Sequence, residues 1–272
     1  MTAGTLSIAI GGSKGGVGKS NLAVNLGVAL RKCGRTVLLV DGDLGLSNLD
    51  VLLGLIPGRT VADFLHGEAA IEELLLQGPA GMRVLPAASG VPELTRLDGA
   101  ARNRMVQALL EGESLAEVVL VDTGAGVGDT AVAMQLAASR VVLVTTAEPT
   151  SLVDAYASLK ILWSADPAKR VDVVVNAVEN EAEGLRAYEQ LSRAATHFLG
   201  REPGWLGPVY RDPRIGDAVR RQRSLLELYP TSVAARCYER IALLLTCSDA
   251  RGESSSDYWR RFVETSVVGP LH

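Results

Sequence analysis

Aromatic residues are scarce in this 272-residue sequence, because Phe, Trp and Tyr together make up only 4% of it. Since 47% of the residues are nevertheless hydrophobic, aliphatic Val, Leu, Ala and Ile must fill the core. Such usage is typical of a parallel sheet covered by helices. The length suits one large α/β domain better than two independent ones.

Cysteine is rare as well. Cys33, Cys237 and Cys247 are far apart, odd in number and without metal-ligand spacing, which excludes a disulfide framework and favours a reduced compartment. The net charge of −4 carries no signature of nucleic-acid binding, so DNA is not an expected partner. No apolar run is long enough to span a bilayer, and residues 1–5 contain no charged and apolar leader. We therefore expect a cytoplasmic protein that lies, at most, on the inner face of the cell membrane.

Glycine, by contrast, is concentrated in residues 11–18, between an apolar run at 6–10 and a helical pattern at 20–32. This order predicts a strand, a glycine turn and a helix. Glycines let the backbone approach phosphate oxygens, and the helix N-terminus adds free N–H groups and the positive end of its dipole. The predicted ATP-binding loop consists of Gly15, Gly16, Val17, Gly18, Lys19, Ser20 and Asn21.

Two side chains of this loop have a specific chemistry. Lys19 is expected to pair with the β- and γ-phosphates, and the Ser20 hydroxyl is expected to coordinate Mg²⁺. The alternative is a glycine-rich turn with incidental lysines, and the flanking strand and helix argue against it.

Carboxylates follow two further apolar runs, at the edge where open α/β sheets bind ligands. Asp41 follows residues 36–40, and Asp122 follows residues 118–121. We predict that both hold Mg²⁺, Asp122 through a metal-bound water, and that Asp43 orients the attacking water. The alternative is that Asp41 and Asp43 cap a helix at 49–53, which Ser47 or Asn48 could do unaided.

Two glycines follow Asp122, and they predict a further function for the loop after this strand. Gly124 and Gly126 allow the loop to approach the γ-phosphate, and we expect this loop to act as a nucleotide-sensitive switch.

The loop sequence K-G-G-x-G-K-[ST], with Lys14 at its head, resembles the deviant phosphate loop of the MinD/ParA ATPases. In that family the extra lysine reaches across a dimer interface to the nucleotide of the other subunit. The resemblance therefore implies that Lys14 joins Lys19 as a catalytic residue. It also implies a P-loop NTPase of the SIMIBI type: three layers, with helices on both faces of a mostly parallel, twisted sheet.

Other segments narrow the resemblance. The pattern D-x-D-x-G-L-x-N-x-D at 41–50 is similar to the first switch of MinD and of the FlhG (FleN) family, which makes Asp43 the hydrolytic residue and places Asn48 in the switch. The runs L-L-Q-G-P-x-G-x-x-V-L-P-A-A-S-G, D-T-G-A-G and E-P-T-S-x-x-D-A-Y are similar to FlhG in particular.

The resemblance also implies an adenine site. Asn176 lies where the family uses an asparagine amide on the adenine edge, although such an amide is often only a turn former. No N-K-x-D pattern for guanine follows it, which favours ATP over GTP. The family closes the loop after the last strand over the base, so its candidates here are Arg211, Asp212 and Pro213.

The function implied is that of an ATP-dependent dimerising switch with slow ATPase activity, which regulates flagellar number or placement or flagellar gene expression. Implied partners are a second copy of the chain, an FlhF-like GTPase, a switch-complex component or a flagellar transcription activator. The alternative is a ParA- or MinD-like ATPase for DNA segregation or division-site positioning. An enzyme like the nitrogenase iron protein is disfavoured, because no cysteine lies between Cys33 and Cys237.

Composition divides the chain into an ATPase domain at 1–247, a serine-rich linker at 248–257 and an amphipathic tail at 258–272. The tail places four apolar side chains on one helical face, opposite arginines, as in helices that lie on anionic membranes. These are Trp259, Phe262, Val263 and Val267. The alternative is that the tail packs on its own domain or on a sister chain.

Three local predictions concern the helices. Pro149 should end a strand, with Thr150 or Ser151 capping the helix that follows. A short helix should cover 69–76. A further helix should cover 217–228, with its arginines on a solvated face or on a docking surface for a partner or DNA.

Overall fold

An eight-stranded sheet forms the centre of the protein. The structure is a computed structural model, and it describes residues 5–12, 14–43, 49–59, 63–64, 67–86, 116–126 and 128–247. The strands of this part are β1 (Leu6–Gly11), β2 (Val37–Gly42), β3 (Leu76–Gln77), β4 (Arg83–Leu85), β5 (Val118–Thr123), β6 (Arg140–Thr146), β7 (Arg170–Val178) and β8 (Gly204–Tyr210). Their order is β3-β4-β2-β5-β1-β6-β7-β8, and only β3 is antiparallel to its neighbour.

Helices cover both faces of this sheet. The α-helices of the described residues are α1 (Lys19–Lys32), α2 (Leu49–Leu53), α3 (Ile71–Leu74), α4 (Asp129–Ala137), α5 (Pro149–Ala165), α6 (Glu181–Leu199), α7 (Pro213–Arg220), α8 (Leu225–Leu228) and α9 (Val233–Cys247). One 3₁₀ turn covers Pro79–Gly81. None of these helices is both long and apolar enough to cross a membrane.

The layers follow from the alternation of side chains along each strand. In β1, Ile8 and Ile10 pack on one face with α1, α8 and α9, whereas Ala9 packs on the other face with α3 and α4. The second face continues over β6 and β7, where α5 and α6 cover the sheet. Because both faces are buried, the strands need continuous apolar runs, which the sequence provides. The predicted three-layer, mostly parallel fold is confirmed.

Three local predictions were wrong. Pro149 is the first residue of α5 rather than a strand terminator, and neither Thr150 nor Ser151 caps the helix. Ser151 lies inside α5 instead, where its hydroxyl accepts a hydrogen bond from the Thr146 N–H (3.0 Å). Proline suits a first helical position because the N–H it lacks has no partner there anyway.

The other two errors concern helix boundaries. The predicted helix at 69–76 covers only Ile71–Leu74, and Leu76 begins the short antiparallel strand β3. The predicted helix at 217–228 is broken into α7 and α8, because Gln222 has a left-handed backbone (φ 54°).

Candidate nucleotide and metal site

The phosphate loop connects the buried end of β1 to the start of α1, as predicted. Gly16 and Gly18 have φ angles of 79° and 94°, which residues with a side chain rarely adopt. Gly18 is the residue that precedes the first turn of α1, so the free N–H groups of the helix point towards the loop. The backbone therefore has the form that an anion site requires.

Asn176, at the carboxyl end of β7, packs directly against this loop. Its Nδ2 donates to the Val17 carbonyl (2.8 Å). A Cβ on Gly18 would lie only 2.2 Å from the same nitrogen, so Gly18 is required by contact as well as by conformation. The structure thus places Asn176 beside the predicted ATP loop, and its role on the adenine edge stays a prediction.

Lys19 is the buried lysine of the loop. Its side chain is 8% exposed, and its ammonium donates to the Lys14 carbonyl (3.4 Å). Burial lowers its pKa, while the negative charges of Asp122 and Asp43 act in the opposite direction. The ammonium therefore faces the predicted metal and hydrolytic carboxylates, where it could contact phosphate.

Lys14 lies in a different environment at the head of the loop. Its ammonium forms an exposed salt bridge with Glu148 (3.3 Å), the residue that precedes α5. The sequence motif around Glu148 had no assigned role, so this contact was missed. An exposed ion pair of this kind contributes about 0 to 1 kcal/mol, which leaves Lys14 able to exchange partners.

Asp41 and Asp122 lie directly opposite each other in the register of β2 and β5. Both are buried, and the Ser20 hydroxyl donates a hydrogen bond to Asp122. Asp41 accepts from the backbone N–H groups of Asp43 (3.1 Å) and Leu49 (3.3 Å). Asp41 therefore makes the helix-capping contact that was the alternative to a metal role, and its carboxylate still lies beside Asp122.

The buried carboxyl group of Asp122 is in an unfavourable environment for a negative charge. Burial, together with the negative charge of Asp41, raises its pKa to about 7, despite the hydrogen bond from Ser20 and the charge of Lys19. Its Oδ1 is buried and has no hydrogen-bond partner among the residues that the structure describes. An orphaned carboxylate oxygen beside a serine hydroxyl and a second carboxylate is a donor set that fits Mg²⁺.

The carboxylates alone do not form a complete cage. Among the described residues, no group of three or more His, Cys, Asp or Glu side chains is arranged to hold a metal ion. Mg²⁺ commonly takes one or two carboxylates, with its other ligands from water and from substrate phosphates. The predicted set of Ser20, Asp41 and Asp122 fits that pattern.

The two switch segments meet at this edge of the sheet. A Cβ on Gly124 would lie 3.5 Å from the Asp43 carboxylate, so a small residue there lets the segments approach. The Gly126 N–H donates to the Gly12 carbonyl (3.2 Å), which joins the second segment to the phosphate loop. The structure therefore brings together Asp43, Gly124 and Gly126, while Asn48 lies outside the described residues.

The predicted adenine loop follows β8, next to Asn176. Arg211 is exposed and pairs with Glu179 (3.2 Å). Asp212 is buried and caps α7 by accepting from the Arg214 N–H (3.0 Å), while its Oδ2 has no hydrogen-bond partner within the described part of the chain. Pro213 is the first residue of α7. The loop lies on the side expected for the base, and its contacts with adenine stay a prediction.

Three arginines, at the end of α7 and in the connection to α8, test whether this surface could dock a partner or DNA. Arg220 and Arg221 both pair with Asp217, and Arg223 pairs with Glu227. Because each of these arginines has an acidic partner on the same surface, a solvated face is favoured over a DNA-binding stripe. The linker and the tail residues at 248–272 lie outside the described residues.

Substituting Gly18 by Ala should destabilise the nucleotide-free protein by about 1 to 3 kcal/mol, because the new Cβ meets Asn176 and the φ angle becomes strained. Gly15→Ala is the matched control, since that position opens into space. Urea unfolding would measure both variants. Equal stability of the two would contradict the packing of Asn176 on the loop.

The raised pKa of Asp122 predicts a pH dependence in magnesium-free buffer. Between about pH 4 and pH 7 the folded chain keeps a proton that the unfolded chain has lost, so unfolding becomes easier as the pH rises. The stability of the wild type relative to Asp122→Asn should therefore fall by up to roughly 1.4 kcal/mol per pH unit between pH 5 and pH 7, and level off above.

Glu117→Gln is the control for that experiment. A backbone hydrogen bond from Thr36 and a side-chain bond from Arg35 lower the pKa of Glu117, so its contribution is constant over the same pH range. A flat difference between the wild type and Asp122→Asn would show that Asp122 is ionised throughout.

Comparison with known proteins identifies the family and the fold of this chain. The model of the CobQ/CobB/MinD/ParA nucleotide binding domain family matches residues 8–225. The septum site-determining protein MinD of Pyrococcus horikoshii, solved in complex with Mg-ADP, superposes with a TM-score of 0.74 at 24% identity, over 90% of this chain and 98% of that one. That likeness shows the fold.

Two curated relatives are closer in sequence. Antiactivator FleN of Pseudomonas aeruginosa is 40% identical over 86% of this chain and 84% of its own length. The flagellum site-determining protein YlxH of Helicobacter pylori is 35% identical over 89% of this chain and 82% of its own length. The chain therefore belongs to the MinD/ParA family of nucleotide-binding proteins, in its FleN/FlhG branch.

Proposed function

We propose that this chain is an ATP-dependent switch that pairs with a second copy of itself when Mg-ATP is bound, hydrolyses ATP slowly and regulates flagella. The observation that carries the proposal is the contrast between its two loop lysines. Lys19 is buried near the charges of Asp122 and Asp43, whereas Lys14 is exposed and forms a salt bridge with Glu148. A lysine at the surface, in an exposed ion pair that contributes little free energy, is available to the nucleotide of a neighbour.

The hydrolytic residues follow from the same geometry. Lys19 and the loop N–H groups bind the β- and γ-phosphates, and Ser20, Asp41 and Asp122 hold Mg²⁺, which supplies positive charge to the phosphates. Asp43, against Gly124, orients the attacking water. The segments 11–21, 41–43 and 122–126 contain no arginine, so the cation at the transition state comes from Lys14 of the second copy. Turnover is slow for that reason.

Pairing also provides a route to the membrane. The amphipathic helix predicted from the sequence of the tail would carry an apolar stripe of about three turns, so one copy would bind weakly. Two tails in one dimer gain avidity, and hydrolysis then releases them. The protein is thus cytoplasmic and reversibly associated with an anionic membrane surface.

The relatives support a flagellar role. One is named an antiactivator and another a flagellum site-determining protein. We therefore propose that the ATP-bound dimer controls flagellar number or placement, or flagellar gene expression, by binding a transcription activator, an FlhF-like GTPase or a switch-complex component. An ATP-locked variant would be the bait to identify which.

Lys14→Ala should abolish ATP-dependent dimerisation, because the second copy then offers no cation to the nucleotide. Asp43→Ala should give a stable ATP-bound dimer, since the attacking water is no longer oriented. Size-exclusion chromatography with light scattering, in ATP and in ADP, would measure both masses.

Lys32→Ala is the matched control, because it breaks an exposed lysine–glutamate pair at the far end of α1 (Lys32–Glu239, 3.0 Å) and should dimerise like the wild type. A Lys14→Ala protein that still dimerises with ATP, or an Asp43→Ala protein that stays monomeric, would refute the proposed switch.

Membrane binding should require both the tail and ATP. The full chain should sediment with vesicles of phosphatidylcholine and phosphatidylglycerol in ATP, and a chain that ends at Ser255 should not. Sedimentation should fall severalfold in ADP or with neutral vesicles, because avidity and charge attraction are lost. Equal sedimentation of both chains in both nucleotides would rule out tail-dependent membrane binding.

A further inference from the structure

Gln135 is a polar side chain in the otherwise apolar inner surface of α4. It is 3% exposed, and its amide occupies the space beside Gly11, the last residue of β1. A Cβ on Gly11 would lie 2.8 Å from both Cδ and Oε1 of that amide. The helix therefore touches the backbone that leads into the phosphate loop.

The amide is part of a buried chain of hydrogen bonds. Gln135 Nε2 donates to Thr123 Oγ1 (3.2 Å), and that hydroxyl donates to the Ile10 carbonyl (2.9 Å). Thr123 directly follows Asp122 at the end of β5. The Thr123 hydroxyl thus connects α4, β5 and β1, one residue after the predicted metal ligand Asp122.

A second bond joins the same two segments farther along the turn. The Gly126 N–H donates to the Gly12 carbonyl (3.2 Å). The turn between Thr123 and Gly126 is therefore held at both of its ends, and Gln135 joins its first residue to the side of α4.

Packing alone does not account for a glutamine here. An amide buried in an apolar layer costs free energy unless it is hydrogen-bonded, whereas methionine fills a similar volume without that cost. The amide is thus matched to the hydroxyl of Thr123, and the bond orients a residue adjacent to Asp122.

We propose that Gln135 is a positioning residue of the Mg-ATP site, which acts through Thr123 to hold Asp122 and the turn after β5 against the phosphate loop. This inference rests on the proposed ATPase function for its kinetic effect. Gln135 is called a positioning residue because the bond it donates goes to Thr123, which is not a predicted metal ligand. Its structural effect on the turn is independent of nucleotide.

The test is Gln135→Met, which keeps the volume and removes the donor. The Mg²⁺ concentration for half-maximal ATP hydrolysis should rise about fivefold and kcat should fall about fivefold, as expected for the loss of one hydrogen bond. KM for ATP at saturating Mg²⁺ should change less than about twofold, because the loop glycines and Lys19 are untouched.

Amide hydrogen exchange of the nucleotide-free protein provides a readout without turnover. Residues 123–126 should exchange about fivefold faster in Gln135→Met, while residues 173–176 of β7 should be unchanged. Leu136→Met, a volume-conserving change at the next residue of α4, is the matched control and should leave both segments unchanged.

A double-mutant cycle with Thr123→Val tests the route. If Gln135 acts through this hydroxyl, adding Gln135→Met to Thr123→Val should cause no further change in the Mg²⁺ requirement or in exchange. Additive effects would overturn the proposed route. A Gln135→Met protein with a lower Tm but unchanged exchange, Mg²⁺ requirement and kcat would reduce Gln135 to a packing residue.

The two proposals fail in different ways. A wild-type chain that hydrolyses no ATP contradicts the proposed function, and the exchange experiment still decides whether Gln135 holds the turn. Normal hydrolysis with no effect of Gln135→Met on any readout contradicts only the inference about Gln135.

Discussion

Two aspartates buried side by side, at the ends of neighbouring strands, impose the main electrostatic constraint on this protein. Asp41 and Asp122 are in register on β2 and β5, where little water can solvate them. Burial of like charges is unfavourable unless hydrogen bonds, counter-charges or protons compensate it. The Ser20 hydroxyl, the backbone N–H groups offered to Asp41 and the nearby ammonium of Lys19 compensate it in part. The remaining deficit is the physical basis for a cation at this position.

The same constraint separates the two lysines of the loop. Lys19 is buried near the carboxylates Asp122 and Asp43, so its ammonium belongs to the site of its own subunit. Lys14, only five residues earlier, remains at the surface in a weak pair with Glu148. Groups from distant elements keep the loop between them in place: the Asn176 amide on one side, and the turn after β5 on the other. The loop is thus held from two sides, while Lys14 forms only an exposed ion pair, which exchanges partners readily.

Much of the fold could be predicted because the decisive patterns are local. Glycines at 16 and 18 satisfy a backbone requirement, and continuous apolar strands are expected wherever both faces of a sheet are covered. The errors arose where a contact between distant parts of the chain decides the local backbone structure. The left-handed backbone of Gln222 breaks the predicted helix at 217–228, and its side chain donates to the Val51 carbonyl (2.8 Å). Nothing within a few residues of Gln222 signals that bond.

The sequence by itself therefore determined the phosphate loop, the parallel α/β architecture and the carboxylates at the strand ends, since each depends on neighbours along the chain. Only the tertiary structure decided which of those groups are buried and what they face. The raised pKa of Asp122, the pairing of Lys14 with Glu148 and the contact of Gln135 with Thr123 each depend on different elements of the fold. Charge, hydration and hydrogen bonding depend on distance in space, which separation along the chain does not reveal.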